Sequence, residues 1–199
     1  MSPSAHDTRA DPLVDLLPQW QFEERHARLV AATPQATLAA AAAYRPSGDR
    51  LVGMFVALRE APGRLLARLG GRNALAARPS FGFDDFTPIG EGPGWLAFGL
   101  VGRFWQADYG LRRLDGGGDA FRAFTEPGTA RLLLGFQAEA DGAQTRLRTV
   151  TRVHCPDAQS QARMRRYWWL IRPVSGWIRR RMLAQIAAAA AGGPDPAFF

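Results

Sequence analysis

The hydrophobic pattern of the chain changes period twice. From Trp20 to Val30 (WQFEERHARLV) the side chains divide into two alternating sets, Phe22, Glu24, His26 and Arg28 against Glu23, Arg25, Ala27 and Leu29, which reads as a first strand. Thr33-Pro34 then offers a side-chain cap and a proline at the first helical position, so Pro34 to Tyr44 is predicted as an Ala-rich helix. Leu51 to Glu60 and Arg64 to Leu69 make a second helical region, broken at Pro62-Gly63. From Phe81 the period becomes two. Phe81 to Ile89 is strand-like as far as Pro88, and Gly90 to Gly94 is a turn. Trp95 to Trp105 is a long strand with Leu96, Phe98, Leu100 and Phe104 on one face and Trp95, Ala97, Gly99, Val101, Arg103 and Trp105 on the other. Ala120 to Thr125 fits a short strand or one helical turn equally well. Arg131 to Ala140 and Ala143 to His154 form a hairpin across Asp141-Gly142, a strong two-residue turn signal. In its second strand Arg146, Arg148, Arg152 and His154 share a face expected to be wet, and Leu147, Thr149, Thr151 and Val153 share the other.

The period returns to helical from Asp157 to Ala191. Met164, Trp168, Ile171, Ser175, Ile178, Met182 and Ile186 recur at steps of three and four and fall on one face at about 100° per residue. Arg163, Arg165, Arg166, Arg172, Arg179, Arg180 and Arg181 flank it. Cys155-Pro156-Asp157 ends a strand and supplies an N-cap, and Gly192-Gly193-Pro194 is a stop. Pro173 inside the helix removes a backbone donor, an effect worth ~3 kcal/mol, and predicts a kink near Trp169 to Pro173. Trp169 falls almost opposite Ile171 and so points outward, either towards a partner or membrane surface or under neighbouring chain.

An early strand, two short helical regions, an antiparallel run and one long final helix make an α+β order. The expected architecture is a helix grip: a curved antiparallel sheet wrapped around the C-terminal helix, one face buried and one wet. Residues 1–12 read as a disordered leader, 13–191 as a single domain and 192–199 as a flexible tail.

Composition narrows the function classes. The 199 residues suit one domain, and 47% apolar residues suffice for a sizeable core. The net charge is +7, with a pI of about 11.0, and all 25 basic residues are arginine. Abundant Ala, Gly and Arg are also what a GC-rich genome writes, so the charge is weak evidence for nucleic acid, which is not an expected partner. The single cysteine, Cys155, excludes an internal disulfide. With no secretory signal and no apolar run of the ~18–20 residues a membrane span needs, the expected setting is cytoplasmic.

The order of elements resembles the SRPBCC superfamily, the START-like and birch-pollen-allergen-like helix-grip proteins. The phrases EERHARLVAATP (Glu23 to Pro34), VGRFW (Val101 to Trp105), FTEPGTARLLLGF (Phe124 to Phe136), TVTRVHCPD (Thr149 to Asp157) and YWWLIRPVSGWIRR (Tyr167 to Arg180) resemble an uncharacterised bacterial branch, which often carries an acidic residue where Val150 stands. The resemblance implies a cavity for an apolar ligand between the sheet and the last helix. Some members are polyketide cyclases or hydrolytic enzymes.

Candidate chemistry is sparse. Trp95, Phe98, Trp105, Phe136, Trp168 and Ile171 are candidates to line a pocket for a lipid, a polyketide or a similar molecule, or else pack as ordinary core. Glu24 and His26 share a strand face and form an acid–base pair if that face is inward. Arg103 shares a face with Trp95 and Trp105; inward, it would grip a ligand carboxylate. His154 and Cys155 are adjacent and diverge in a strand, which removes a Cys–His pair unless His26 comes close to Cys155, and neither CxxC nor HExxH occurs, so no metal is expected. The glycine clusters lack the Lys-Ser/Thr of a phosphate loop, and no cofactor is expected. Three functions remain: binding of an apolar small molecule, with the Arg45 to Arg78 segments as a lid; a cyclase, dehydrase or hydrolase on the same fold; and contact with membrane or nucleic acid through the Arg-rich helix.

Overall fold

The computed structural model describes residues 11–45, 85–106 and 108–192. The second helical region expected after the first strand, the suggested lid, residues 1–10 and the tail from 193 lie outside the described residues. Helix α1 (Pro12–Leu16) opens the fold, capped by Asp11, whose carboxylate accepts from the Leu13 amide, with Pro12 at its first position. Strand β1 (Phe22–Val30) leads to α2 (Pro34–Ala43), where Thr33 Oγ1 accepts from the Ala36 amide. Then come β2 (Thr87–Gly92), β3 (Trp95–Gly102), α3 (Gly117–Ala123), β4 (Ala130–Asp141), β5 (Gln144–His154) and α4 (Ala158–Ala190). The α+β expectation holds. The strands form one antiparallel sheet of order β1-β5-β4-β3-β2, and α4 lies against it. Pro88 sits in the edge strand β2 at a register shift, where a missing N–H breaks no ladder. The hairpin turns at Gly142 with φ 60°, as Asp-Gly demands.

Both faces of the sheet are covered. On one, Val30, Leu96, Leu134, Phe136 and Leu147 pack under Ala41 of α2 and Met182, Leu183 and Ile186 of α4. Phe22, Leu100 and Val153 continue this face under Met164. On the other, Ala97, Val101, Leu133 and Val150 meet Leu13, Leu16 and Leu17 from the α1 region and Phe121 from α3. This second layer needs small residues beneath it. A Cβ at Gly135 would stand 2.4 Å from Leu13 Cδ1, and one at Gly99 would stand 2.7 Å from Phe121 Cδ2.

That layer corrects the expected wet face of β5. Arg152 is 1% exposed: Nε bonds Glu23 Oε1 at 2.9 Å, Nη2 bonds Asp11 Oδ2 at 2.6 Å, and its guanidinium lies 4.0 Å from the centre of the Trp20 ring. Asp11 and Pro12, read as part of a leader, thus anchor the chain to the sheet.

Helix α4 is one continuous element through Pro173. Asp157 accepts from the Ser160 amide at 2.8 Å and from the Gly128 amide at 2.7 Å, tying the helix start to the approach of β4. The helix runs closest to β1, the edge strand. Its buried side changes along its length. Ser160 and Met164 are buried in the first half, whereas Gly176, Met182, Leu183 and Ile186 are buried in the second. Trp169, Gly176 and Leu183 are spaced by seven and so lie on one side, drifting only ~20° per step. Yet Gly176 and Leu183 are buried and Trp169 is 82% exposed. Gly176 lies against Glu24 and His26 of β1, whereas Met182, Leu183 and Ile186 pack with Ala41 of α2 as well as with the sheet. A single apolar stripe therefore describes α4 only in part; Ile171 and Ile178 are half-buried.

Candidate functional site

Alternation in β1 sends Phe22, Glu24 and His26 to the α4 side. The register sets Thr151 beside Glu24 and Thr149 beside His26. One strand further lie Leu134 and Phe136, and beyond them Phe98 and Leu96. A polar patch on β1 and β5 thus borders an apolar field on β4 and β3. Phe98 and Phe136 meet edge to face, with ring centres 6.3 Å apart.

Glu24 Oε1 and His26 Nε2 are 2.8 Å apart, with side-chain exposures of 9% and 17%. Gly176 of α4 closes over them: a Cβ there would stand 2.9 Å from Glu24 Oε1 and 3.7 Å from His26 Cε1. Only a residue without a side chain lets the helix come this near while the pair stays intact. One turn on, Arg179 enters the same interior. Burial pushes its guanidinium down to about 10, while the nearby Glu24 and Tyr44 act in the opposite direction. It still carries its charge at neutral pH. Tyr44 donates to Gln185 Oε1 at 2.9 Å, joining α2 to α4 beside this group.

Two oxygens of the patch are left over. Glu24 Oε2 and Thr149 Oγ1 are buried and find no hydrogen-bond partner among the described residues. An orphan of this kind costs ~1–3 kcal/mol, more for a charged group.

The other candidates divide. Phe136 is fully buried on the α4 side, and Trp168 packs at a tilt on Phe22, with centroids 5.6 Å apart. Trp105 packs in the cluster of Phe22, Phe104 and Met164, and its Nε1 is a third buried atom with no partner among the described residues. By strand parity Trp105 belongs with Trp95, but β3 ends at Gly102 and the chain turns back. Trp95 lies on the opposite side of the sheet, packed over Gly90 and Gly92 next to the α1 layer. Arg103 lies beyond the end of β3, half-exposed, 3.9 Å from Glu126. Neither joins Glu24 and His26. Arg179, Thr149 and Gly176 were not singled out as site residues. Thr149 carried a signal, a hydroxyl on the β5 face shared with Leu147 and Val153; Arg179 carried none, lying among the flanking arginines.

The remaining nucleophile and histidine are quiet. Burial pushes the Cys155 thiol up to about 12, and His154 Nδ1 lies 3.2 Å from Arg131 Nη2, with burial and then the Arg131 charge holding the imidazole below its ordinary range. Val150 faces the α1 layer, away from Glu24. Among the described residues no three His, Cys, Asp or Glu side chains converge as metal ligands, and no helix is long and apolar enough to cross a membrane.

Comparison with protein-family models, curated proteins and solved structures finds no match to this chain. The architecture, a five-stranded antiparallel sheet with a long C-terminal helix against it, is that of a helix-grip-like α+β fold.

Proposed function

We propose that the chain is a binding protein of the SRPBCC type. Its ligand is an apolar small molecule with one hydrogen-bonding head group, held between the sheet and α4. The observation that carries this reading is Glu24 Oε2: a carboxylate oxygen on a side chain nine-tenths buried, without a partner among the described residues, at the border of an apolar field. A donor on the ligand head, a hydroxyl or an amide, would complete it. The ligand body would lie along Leu134, Phe136 and Phe98. His26 Nε2, 2.8 Å from Glu24 Oε1, orients the carboxylate, and the Arg179 charge lies near it. The test is titration with a fluorescent medium-chain alcohol. Wild-type protein should bind it, and Glu24→Gln should weaken binding by about ten- to a hundredfold, the worth of a hydrogen bond to a charged group. Absent binding, or equal binding by both proteins, would end this reading.

The 2.8 Å Glu24–His26 pair favours a second reading, an enzyme in which the pair moves a proton on the bound molecule. His26→Ala separates the two. It would abolish turnover in an enzyme of the cyclase, dehydrase or hydrolase type, and only shift affinity in a binding protein.

A further inference from the structure

We propose that the outer side of the first half of α4 docks on an anionic lipid surface. This surface is separate from the small-molecule site, and two residues mark it. Trp169 and Leu170 are 82% and 81% exposed, against 48% for Leu29, the other exposed large apolar side chain among the described residues. They are adjacent on a rigid helix, and α2, which shields the second half of α4, does not reach them.

Arginines surround this apolar pair. Counted at about 100° per residue, Arg165 and Arg172 lie on one side of Trp169, and Arg166, Leu170 and Arg163 on the other. All four arginines are exposed, and none makes an ion pair with a described residue. From Ala158 to Ala190 the helix carries seven arginines and no acidic residue. The exposed side therefore reads as an indole and a leucyl group at the centre of a cationic ring. This is the arrangement of an interfacial helix, in which apolar side chains enter the acyl boundary while arginines meet lipid phosphates.

Charge complementarity chooses between occupants. A second copy docked through the same surface would set arginine against arginine. A nucleic-acid duplex would take the arginines but leave Leu170 no apolar place to enter. An anionic bilayer accommodates both parts.

The experiment is co-sedimentation of the full chain with vesicles of phosphatidylcholine, with and without phosphatidylglycerol. The expected result is binding to the anionic vesicles only, weakening as salt rises from ~0.1 to ~0.5 M. Trp169→Ala with Leu170→Ser should reduce binding at least tenfold. Arg165→Ala, Arg166→Ala and Arg172→Ala together should reduce it about a hundredfold, roughly fivefold for each charge. These positions are exposed, so an unchanged urea midpoint will verify that the variants fold. The proposal is overturned by any of four results: no vesicle binding at low salt, equal binding to neutral vesicles, binding that the variants leave intact, or salt-sensitive capture of duplex DNA without vesicle binding. Self-association that Trp169→Ala abolishes, in place of vesicle binding, would assign the surface to a second copy and overturn it as well.

Discussion

Gly176→Ala sets two effects of opposite sign against each other. In a helix interior alanine is better than glycine by about 1 kcal/mol. Here the new methyl would stand 2.9 Å from Glu24 Oε1. A carboxylate at the end of a free side chain would swing away at little cost. This one is bonded to His26 Nε2 at 2.8 Å and is nine-tenths buried, so its movement breaks the pair, and the alternative is to lift α4. Overpacking of this kind costs ~1–3 kcal/mol. The net expectation is a loss of about 0–2 kcal/mol for Gly176→Ala alone. In a Glu24→Ala background the obstructing oxygen is gone, and the same substitution should stabilise by about 1 kcal/mol. The two effects differ in sign, and their difference, ~1–3 kcal/mol, is the coupling between residue 176 and the Glu24 carboxylate. Urea unfolding followed by circular dichroism measures it, provided the slope is the same in all four proteins. Equal stabilisation by Gly176→Ala in both backgrounds would show that α4 does not close on Glu24.

Three further expectations follow from the buried polar groups. Arg152→Met should destabilise by about 3 kcal/mol, the low end for breaking a buried pair, because Asp11 and Glu23 are each about a quarter to a third exposed and regain water; an unchanged urea midpoint would contradict the anchoring of α1. His154 has a folded pKa below its unfolded value of about 6.5. The unfolded chain thus binds more protons as pH falls through that value, and stability drops below it until the folded pKa is passed. Wild-type protein should lose more stability between pH ~7 and ~5 than His154→Gln, and parallel curves would refute this. Cys155, 4% exposed and held protonated, should resist iodoacetamide at pH ~8 until the protein is unfolded in urea, whereas rapid alkylation of the native protein would show that the thiol is reached.

Much of the fold was legible because local chemistry and tertiary structure agree. Asp141-Gly142 turns where it should, Thr33-Pro34 starts α2, and Asp157 starts α4. Helix α1 carries the same kind of signal, Asp11-Pro12, but it is too short to show a period; only Asp11 and Pro12 read as the end of a leader, and the residues after them fall in the domain without an assigned element. Missing α1 also hid the fate of Arg152: alternation assigns a residue to a face of the sheet, but does not reveal that a short helix covers that face. For α4 the pattern predicts a constant stripe, and the true buried side changes because β1 meets the helix at Gly176 and α2 packs beside it around Met182, Leu183 and Ile186. The site was half legible. Glu24 and His26 are two apart in a strand and must share a side. Arg179 sits among flanking arginines in the sequence and turns inward where β1 and α2 converge on that turn of α4. Trp95 and Arg103 belong by parity to the opposite side, and Trp105 escapes that parity because the strand ends before it.

Native mass spectrometry of freshly purified protein tests the central claim, an occupied site beside Glu24 under α4. A bound apolar species should travel with the 21.8 kDa chain and be lost from Glu24→Gln. Wild-type protein that appears only as the bare chain, and that takes up none of the fluorescent alcohol when it is added, would contradict the account.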